Sequence, residues 1–121
     1  MDARILIADD DEKSITGLSA LLAGLGYATE VARTLDAAVA TAAWFQPDAA
    51  IVAPALSGDD PAATARRLRA ACGERAPLLI SLTGWGESQH REAALAAGFD
   101  VHLVRPVGLD QLTFILSMIG G

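Results

Sequence analysis

The sequence predicts an α/β domain in which five strands form one parallel sheet, doubly wound by helices on both faces. Three observations carry this. Short apolar runs alternate with helical patterns about five times along 121 residues. Most of these runs are apolar at every position, as strands buried on both faces must be. The segments between them stop at glycine or before proline, where helices end. Five units suit an open sheet with right-handed crossovers, because a closed eightfold barrel needs about twice the length.

Each element has its own signal. Ile5 to Ala8 is the first apolar run, flanked by Arg4 and Asp9. Ile15, Leu18, Leu21, Leu22 and Leu25 then recur at spacings of three and four, the period of a helix with one buried face, and Gly24 and Gly26 end it. Tyr27 to Val31 alternates more than the others and suits a sheet edge. Thr34 can cap a second helix that stops before Pro47. Ala49 to Ala53 is the third strand. Asp60 followed by Pro61 is a helix start, and that helix runs to about Cys72, before Gly73. Leu78 to Leu82 is the fourth strand, Glu87 to Ala97 the fourth helix closed by Gly98, and Val101 to Val104 the fifth strand. The last helix spans Leu109 to Ile119, with Leu112, Ile115, Leu116 and Ile119 inward.

Composition bounds the function. The length fits a single domain over 1–121 with a real core, and hydrophobic residues make up 52%, many of them alanine, which favours closely packed helices over disorder. No apolar run approaches the ~20 residues that span a bilayer, and no signal-peptide pattern opens the chain. The net charge of −6 argues against direct binding to nucleic acid. One cysteine, Cys72, allows no internal disulfide and reads as a small packed residue. These points fit a cytoplasmic domain without a membrane partner.

In open parallel sheets the functional crevice lies at the carboxyl ends of the strands. The residues to read are therefore Asp9 to Asp11, Ala53 to Ala55, Thr83 to Trp85, and Arg105 with Pro106. Consecutive carboxylates at Asp9 and Asp10 repel unless a cation or donor sits between them, which suits a hard divalent ion such as Mg²⁺. Asp11 and Glu12 are better explained as the capped, acidic start of the first helix. Thr83 offers a hydroxyl to an anionic oxygen, and Gly84 leaves room beside it. Arg105 can neutralise the acids of the first strand. Asp60 is a helix cap, Asp48 opens the third strand at the wrong end, and Asp59 lies too far along its loop to replace an acid at 53. His90 reads as a solvated surface residue. Two separated histidines and one cysteine make no zinc pattern, and no glycine-rich phosphate loop follows the first strand.

Four segments make a resemblance specific. They are Arg4-Ile5-Leu6-Ile7-Ala8-Asp9-Asp10-Asp11-Glu12, Leu78 through Gly86, Ala93 through Asp100, and Leu103-Val104-Arg105-Pro106. Together they resemble the receiver domains of response regulators in two-component signalling, over essentially the whole chain. The resemblance implies a flavodoxin-like (βα)5 fold with strand order 2-1-3-4-5. It places the acid pair on Asp9 and Asp10, the metal-binding carbonyl on Ala55, the signalling hydroxyl on Thr83, the lysine on Arg105 and the aromatic switch position on His102. The phosphoacceptor position falls on Ala53. Alanine there, arginine for lysine and histidine for tyrosine or phenylalanine are departures from the family pattern, and Pro54, Ser57 and Pro61 depart in the following loop. Several departures around one site suggest natural loss rather than a single engineered change.

A methyl group at 53 offers no nucleophile and no metal ligand, so phosphoryl transfer lacks its acceptor. The site also loses one negative charge. A unit charge at ~4 Å is worth ~4 kcal/mol at an effective dielectric of ~20, before desolvation and screening, so Mg²⁺ binding is expected to be weak or lost. Arg105 can reach Asp9 or Asp10 in a bidentate geometry and fill the vacated space; the plainer alternative points it to solvent. His102 is a candidate pH switch, against a plainer role in packing.

Three readings follow. The first is a non-enzymatic, phosphorylation-independent interaction module, with no cofactor expected, that docks on a signalling protein such as a histidine kinase, an output domain or a second copy of itself. Its docking face would be built from helix four, strand five and helix five. The second is a small-ligand or anion sensor using the vacated pocket. The third is a conventional phosphorylatable receiver carrying an engineered acceptor substitution. The second half also looks like receivers joined to histidine kinases.

Overall fold

The structure, a computed structural model, describes residues 3–53, 56, 60–83, 88–104 and 107–119, with the backbone alone at 88–90. Its elements are β1 (Arg4–Ala8), α1 (Glu12–Gly24), β2 (Ala28–Ala32), α2 (Leu35–Phe45) and β3 (Ala49–Val52). They continue with α3 (Pro61–Ala71), β4 (Leu78–Thr83), α4 (Ser88–Ala97), β5 (Val101–Val104) and α5 (Leu109–Leu116). A 3₁₀ turn, Ser117–Ile119, closes the last helix more tightly than the expected continuous run to Ile119. All pairings are parallel and the order is β2-β1-β3-β4-β5, so β2 sits at an edge as its alternating sequence requires.

The expected caps are present. The Thr34 side chain accepts from the Ala37 N–H at 3.1 Å, and Asp60 accepts from Ala63 N–H at 3.0 Å with Pro61 at the first helical position. Gln46 ends α2 in the left-handed conformation, φ 52°. Gly98 has φ +109°, a conformation that L side chains rarely adopt, so the backbone favours glycine there; a Cβ would also come to 3.0 Å of the Arg69 guanidinium, the far end of a flexible side chain. Asp11 does occupy the N-cap position of α1, but its side chain makes no capping bond. The expectation of an aspartate cap at that residue is therefore corrected. The reason is local: its own N–H donates to Asp9 Oδ1 at 3.0 Å, so the turn is tied by the preceding acid.

Strand alternation divides the core in two. Ile5, Ile7, Ile51, Ile80, Leu82 and Leu103 face α1 and α5, meeting Ile15, Leu18, Leu22, Leu112, Ile115 and Leu116. Leu6, Ala8, Ala50, Val52 and Leu79 face α2, α3 and α4, meeting Ala38, Ala42, Ala65, Leu68 and Ala94. Small residues on both sides of this second layer let the helices approach the sheet closely, which explains the alanine-rich composition. Cys72 packs here, buried, and burial pushes its thiol pKa up, so it stays protonated and unreactive. We predict that Leu112→Ala, at a fully buried position, costs about 2–5 kcal/mol, whereas Asp60→Ala, which removes a cap, costs about 1 kcal/mol. Urea unfolding of both variants checks the ranking; a Leu112→Ala cost at or below that of the cap variant contradicts the packing of α5.

Candidate functional site

The site is assembled by register. Ala8 pairs with Ala32 on one side and Val52 on the other, so the three strands end at one level. The next residue of each is Asp9, Arg33 and Ala53. Backbone bonds fix this edge: Asp9 N–H donates to the Ala32 carbonyl at 3.0 Å and Ala53 N–H to the Ala8 carbonyl at 2.8 Å. Val52 also pairs with Ser81, which places Thr83 at the same end of β4. Ser81 pairs in turn with His102.

Asp9 is buried, 2% exposed, while Asp10 is exposed. A carboxylate withdrawn from water needs polar partners, and Asp9 Oδ1 has the Asp11 N–H. Ala53 is buried, 4% exposed, so its methyl lies inside the crevice and not on its rim. Thr83 is also buried, and its Oγ1 lies 3.3 Å from His102 Nε2, within hydrogen-bonding distance. The sequence-predicted Asp9, Ala53 and Thr83 thus stand at neighbouring strand ends, and His102 joins them through Thr83. Arg105 and Ala55, the expected cation and metal-binding carbonyl, lie outside the described residues. So do Pro54, Ser57, Asp59, Gly84, Trp85 and Pro106, together with the side chain of His90.

One participant was not anticipated. Arg33 Nε donates to Glu12 Oε1 at 2.7 Å, closing a bridge between the end of β2 and the start of α1 beside the acids. The hydrogen bond from Arg33, then its charge, holds the Glu12 carboxyl below its ordinary value of 4.5; the same contacts raise Arg33. The sequence carries the signal, since Arg33 stands one residue past the strand end at Ala32.

Among the described residues no group of three His, Cys, Asp or Glu side chains converges to hold a metal. Two carboxylates stand at the crevice, one buried and engaged with a backbone N–H, where a third would be needed at 53 for a compact oxygen cage. Among the described residues, the side chains at this end do not assemble a set that fits a tightly held Mg²⁺.

The other end of the sheet holds a cleft of about 470 Å³ that includes Asp48, Arg69, Arg75 and Asp100. These charges hold the scaffold together. Asp48 accepts the Arg4 N–H at 2.8 Å and pairs with Arg75, and Asp100 accepts the Leu79 N–H at 2.9 Å and pairs with Arg69 at 3.3 Å. Asp48 thus lies where the sequence placed it, away from the strand-end crevice.

This fold and crevice define the class. The chain belongs to the response regulator receiver domain family, which matches residues 5–117. It is 33% identical over 112 residues to the response regulator MprA of Mycolicibacterium vanbaalenii, covering 93% of this chain and 48% of that protein. The chain therefore spans about half the length of the curated relatives it matches. Among solved structures it is similar to the receiver domain of the sensor histidine kinase PA1611 of Pseudomonas aeruginosa, at 30% identity and TM-score 0.84 over 100% of both chains. That structure has a magnesium ion coordinated in its active-site cleft. A response regulator from Chloroflexus aurantiacus is 26% identical with TM-score 0.85, covering 98% of each chain. No helix among the described residues is long and apolar enough to cross a membrane.

The Glu12–Arg33 bridge has a pH consequence. A carboxyl whose folded pKa is depressed contributes stability above its unfolded pKa and loses it as pH falls through the folded value. Glu12 is therefore expected to titrate below 4.5, and Arg33→Gln to return its midpoint toward that value. Carboxyl carbon shifts followed by NMR from pH 6 to pH 2 check this; equal midpoints in both proteins contradict the bridge.

Proposed function

We infer that this chain is a pseudo-receiver: a receiver domain that has lost phosphoryl acceptance and acts as a phosphorylation-independent protein-interaction module. The observation that carries the reading is the buried methyl of Ala53, one residue past Val52 and level with Asp9. Phosphoryl transfer needs a nucleophile in line with the donor phosphorus, and a methyl group has none. With two acids instead of three, divalent-ion binding is weak or lost and no cofactor is required. The domain performs no catalysis in this reading.

What remains is surface. Large apolar side chains are exposed on α4, on α5 and on the 3₁₀ turn that follows it: Leu95, Leu109, Phe114 and Met118, the last two 69% and 57% exposed. Apolar exposure of this kind supports a docking role for these elements. Suitable partners are a histidine kinase, an output domain or a second copy of the chain. A role among such partners implies a cytoplasmic setting. The anion-sensor reading is weaker, because a buried carboxylate at Asp9 stands beside the vacated position and repels an anion.

Calorimetric titration with MgCl₂ tests the loss. Ala53→Asp restores the third carboxylate and should bind Mg²⁺ at least ~10-fold more tightly than the native chain, a difference of ~1.4 kcal/mol. Equal affinities would mean that the native site holds the ion with other ligands, and the reading fails. A thermal-shift screen of phosphate, sulfate and small carboxylates should leave the native midpoint unmoved; a clear stabiliser would favour the sensor.

A further inference from the structure

β2 forms one edge of the sheet, and among the described residues no strand pairs with its outer side. Ala28 N–H donates to the Ala3 carbonyl, and the Ala32 carbonyl accepts from Asp9 N–H. Residues 28, 30 and 32 therefore turn their backbone groups toward β1, and the N–H and C=O groups of Thr29 and Val31 point outward. Such a row of outward groups is a template for a further strand. Side chains mark one face of this edge. Glu30 is in register with Leu6, so it lies on the face that α2 covers. Its carboxylate makes no ion pair or hydrogen bond among the described residues. Trp44, 64% exposed, stands in the last turn of α2. Only Gln46, Pro47 and Asp48 separate that turn from β3, so Trp44 sits at the level where the strands begin.

We propose that the outer edge of β2 takes an extended, basic segment of a partner protein as an added strand. Thr29 and Val31 supply the ladder bonds, and Glu30 selects a lysine or arginine opposite it. Trp44, nearer the strand start, receives an apolar side chain of the same segment. A second copy of this chain is the poorer occupant. An antiparallel pair that used every outward group would set Thr29 against Val31 of the second copy and Glu30 against its own equivalent, and like charges directly opposite repel. The same carboxylate thus guards the edge against self-pairing and favours a basic strand. The net charge of −6 attracts such a segment as well.

The charges along the edge fix where the cation belongs. Arg4 is in register with Ala28 at the start of β2, and Arg33, one residue past its end, is held by Glu12. Glu30 lies between these two positive groups, so the basic residue of the segment belongs at mid-strand. This surface goes beyond the exposed apolar face of α4 and α5. β2 and β5 are opposite edges of the sheet, and a strand on one leaves the other as it is.

The probe is a short synthetic peptide of alternating valine and lysine, blocked at both ends, with a valine–glutamate peptide of equal length as control. Titrated by NMR into the isotope-labelled chain, the lysine peptide should move the Thr29 and Val31 amides and slow their exchange, while the Phe114 amide stays in place. Glu30→Lys should weaken that peptide by about 2–5-fold and strengthen the glutamate one. Methylating every second backbone nitrogen of the peptide should abolish binding for one alternating set and spare it for the other, because an added strand bonds along one side only. Unmoved Thr29 and Val31 amides at millimolar peptide overturn the proposal. So do two methylated peptides that both bind like the parent, which would mean charge attraction alone, and this arm needs no variant to fold. Exchange at these amides that slows with protein concentration and no peptide would assign the edge to a second copy and overturn it too.

Discussion

The parallel ladder centred on β1 is the constraint on which the rest depends. Because Ala32, Ala8 and Val52 end at one level, Arg33, Asp9 and Ala53 emerge together at one edge. The bonds Asp9 N–H to Ala32 and Ala53 N–H to Ala8 extend the ladder one residue beyond the strands and leave little freedom there. A one-residue slip would turn every buried side chain of β1 to the opposite layer, so two distinct cores enforce the register from both faces. The crevice is thus a consequence of packing far below it.

That separation explains how a receiver can keep its fold and change its chemistry. Nothing in either core requires a carboxylate at 53; the alanine there is simply buried. What the change alters is electrostatic. Asp9 keeps its backbone partner while the crevice as a whole holds one negative charge fewer. Glu12 is held by Arg33 across the first and second units. The hydroxyl of Thr83 is engaged by a histidine that replaces an aromatic ring of the family pattern.

Much of this was legible in the sequence, and the exceptions have physical causes. The five units, their caps at Thr34 and Asp60, the edge position of β2 and the inward residues of α5 all follow from local periodicity and capping chemistry. Thr83 was expected to end the fourth strand and does, paired with Val104. Asp11 was read as a cap and does take the N-cap position, but its side chain makes no capping bond; its own N–H donates to Asp9 Oδ1 instead, a local geometry that composition does not show. The Arg33–Glu12 bridge joins residues 21 apart, and the Thr83–His102 contact joins residues 19 apart. Such pairs depend on which strands become neighbours, and single-residue reading of one segment at a time cannot supply that. The resemblance supplied both positions of the second pair without the bond between them.

The central claim is that only the acceptor is missing from an otherwise intact scaffold. Intact-mass measurement after incubation with acetyl phosphate and Mg²⁺ tests it, with the native chain beside Ala53→Asp. The expected result is an unmodified native chain and a variant that gains one phosphoryl group. A phosphorylated native chain would mean that another residue has taken the role, and would contradict the claim at its root.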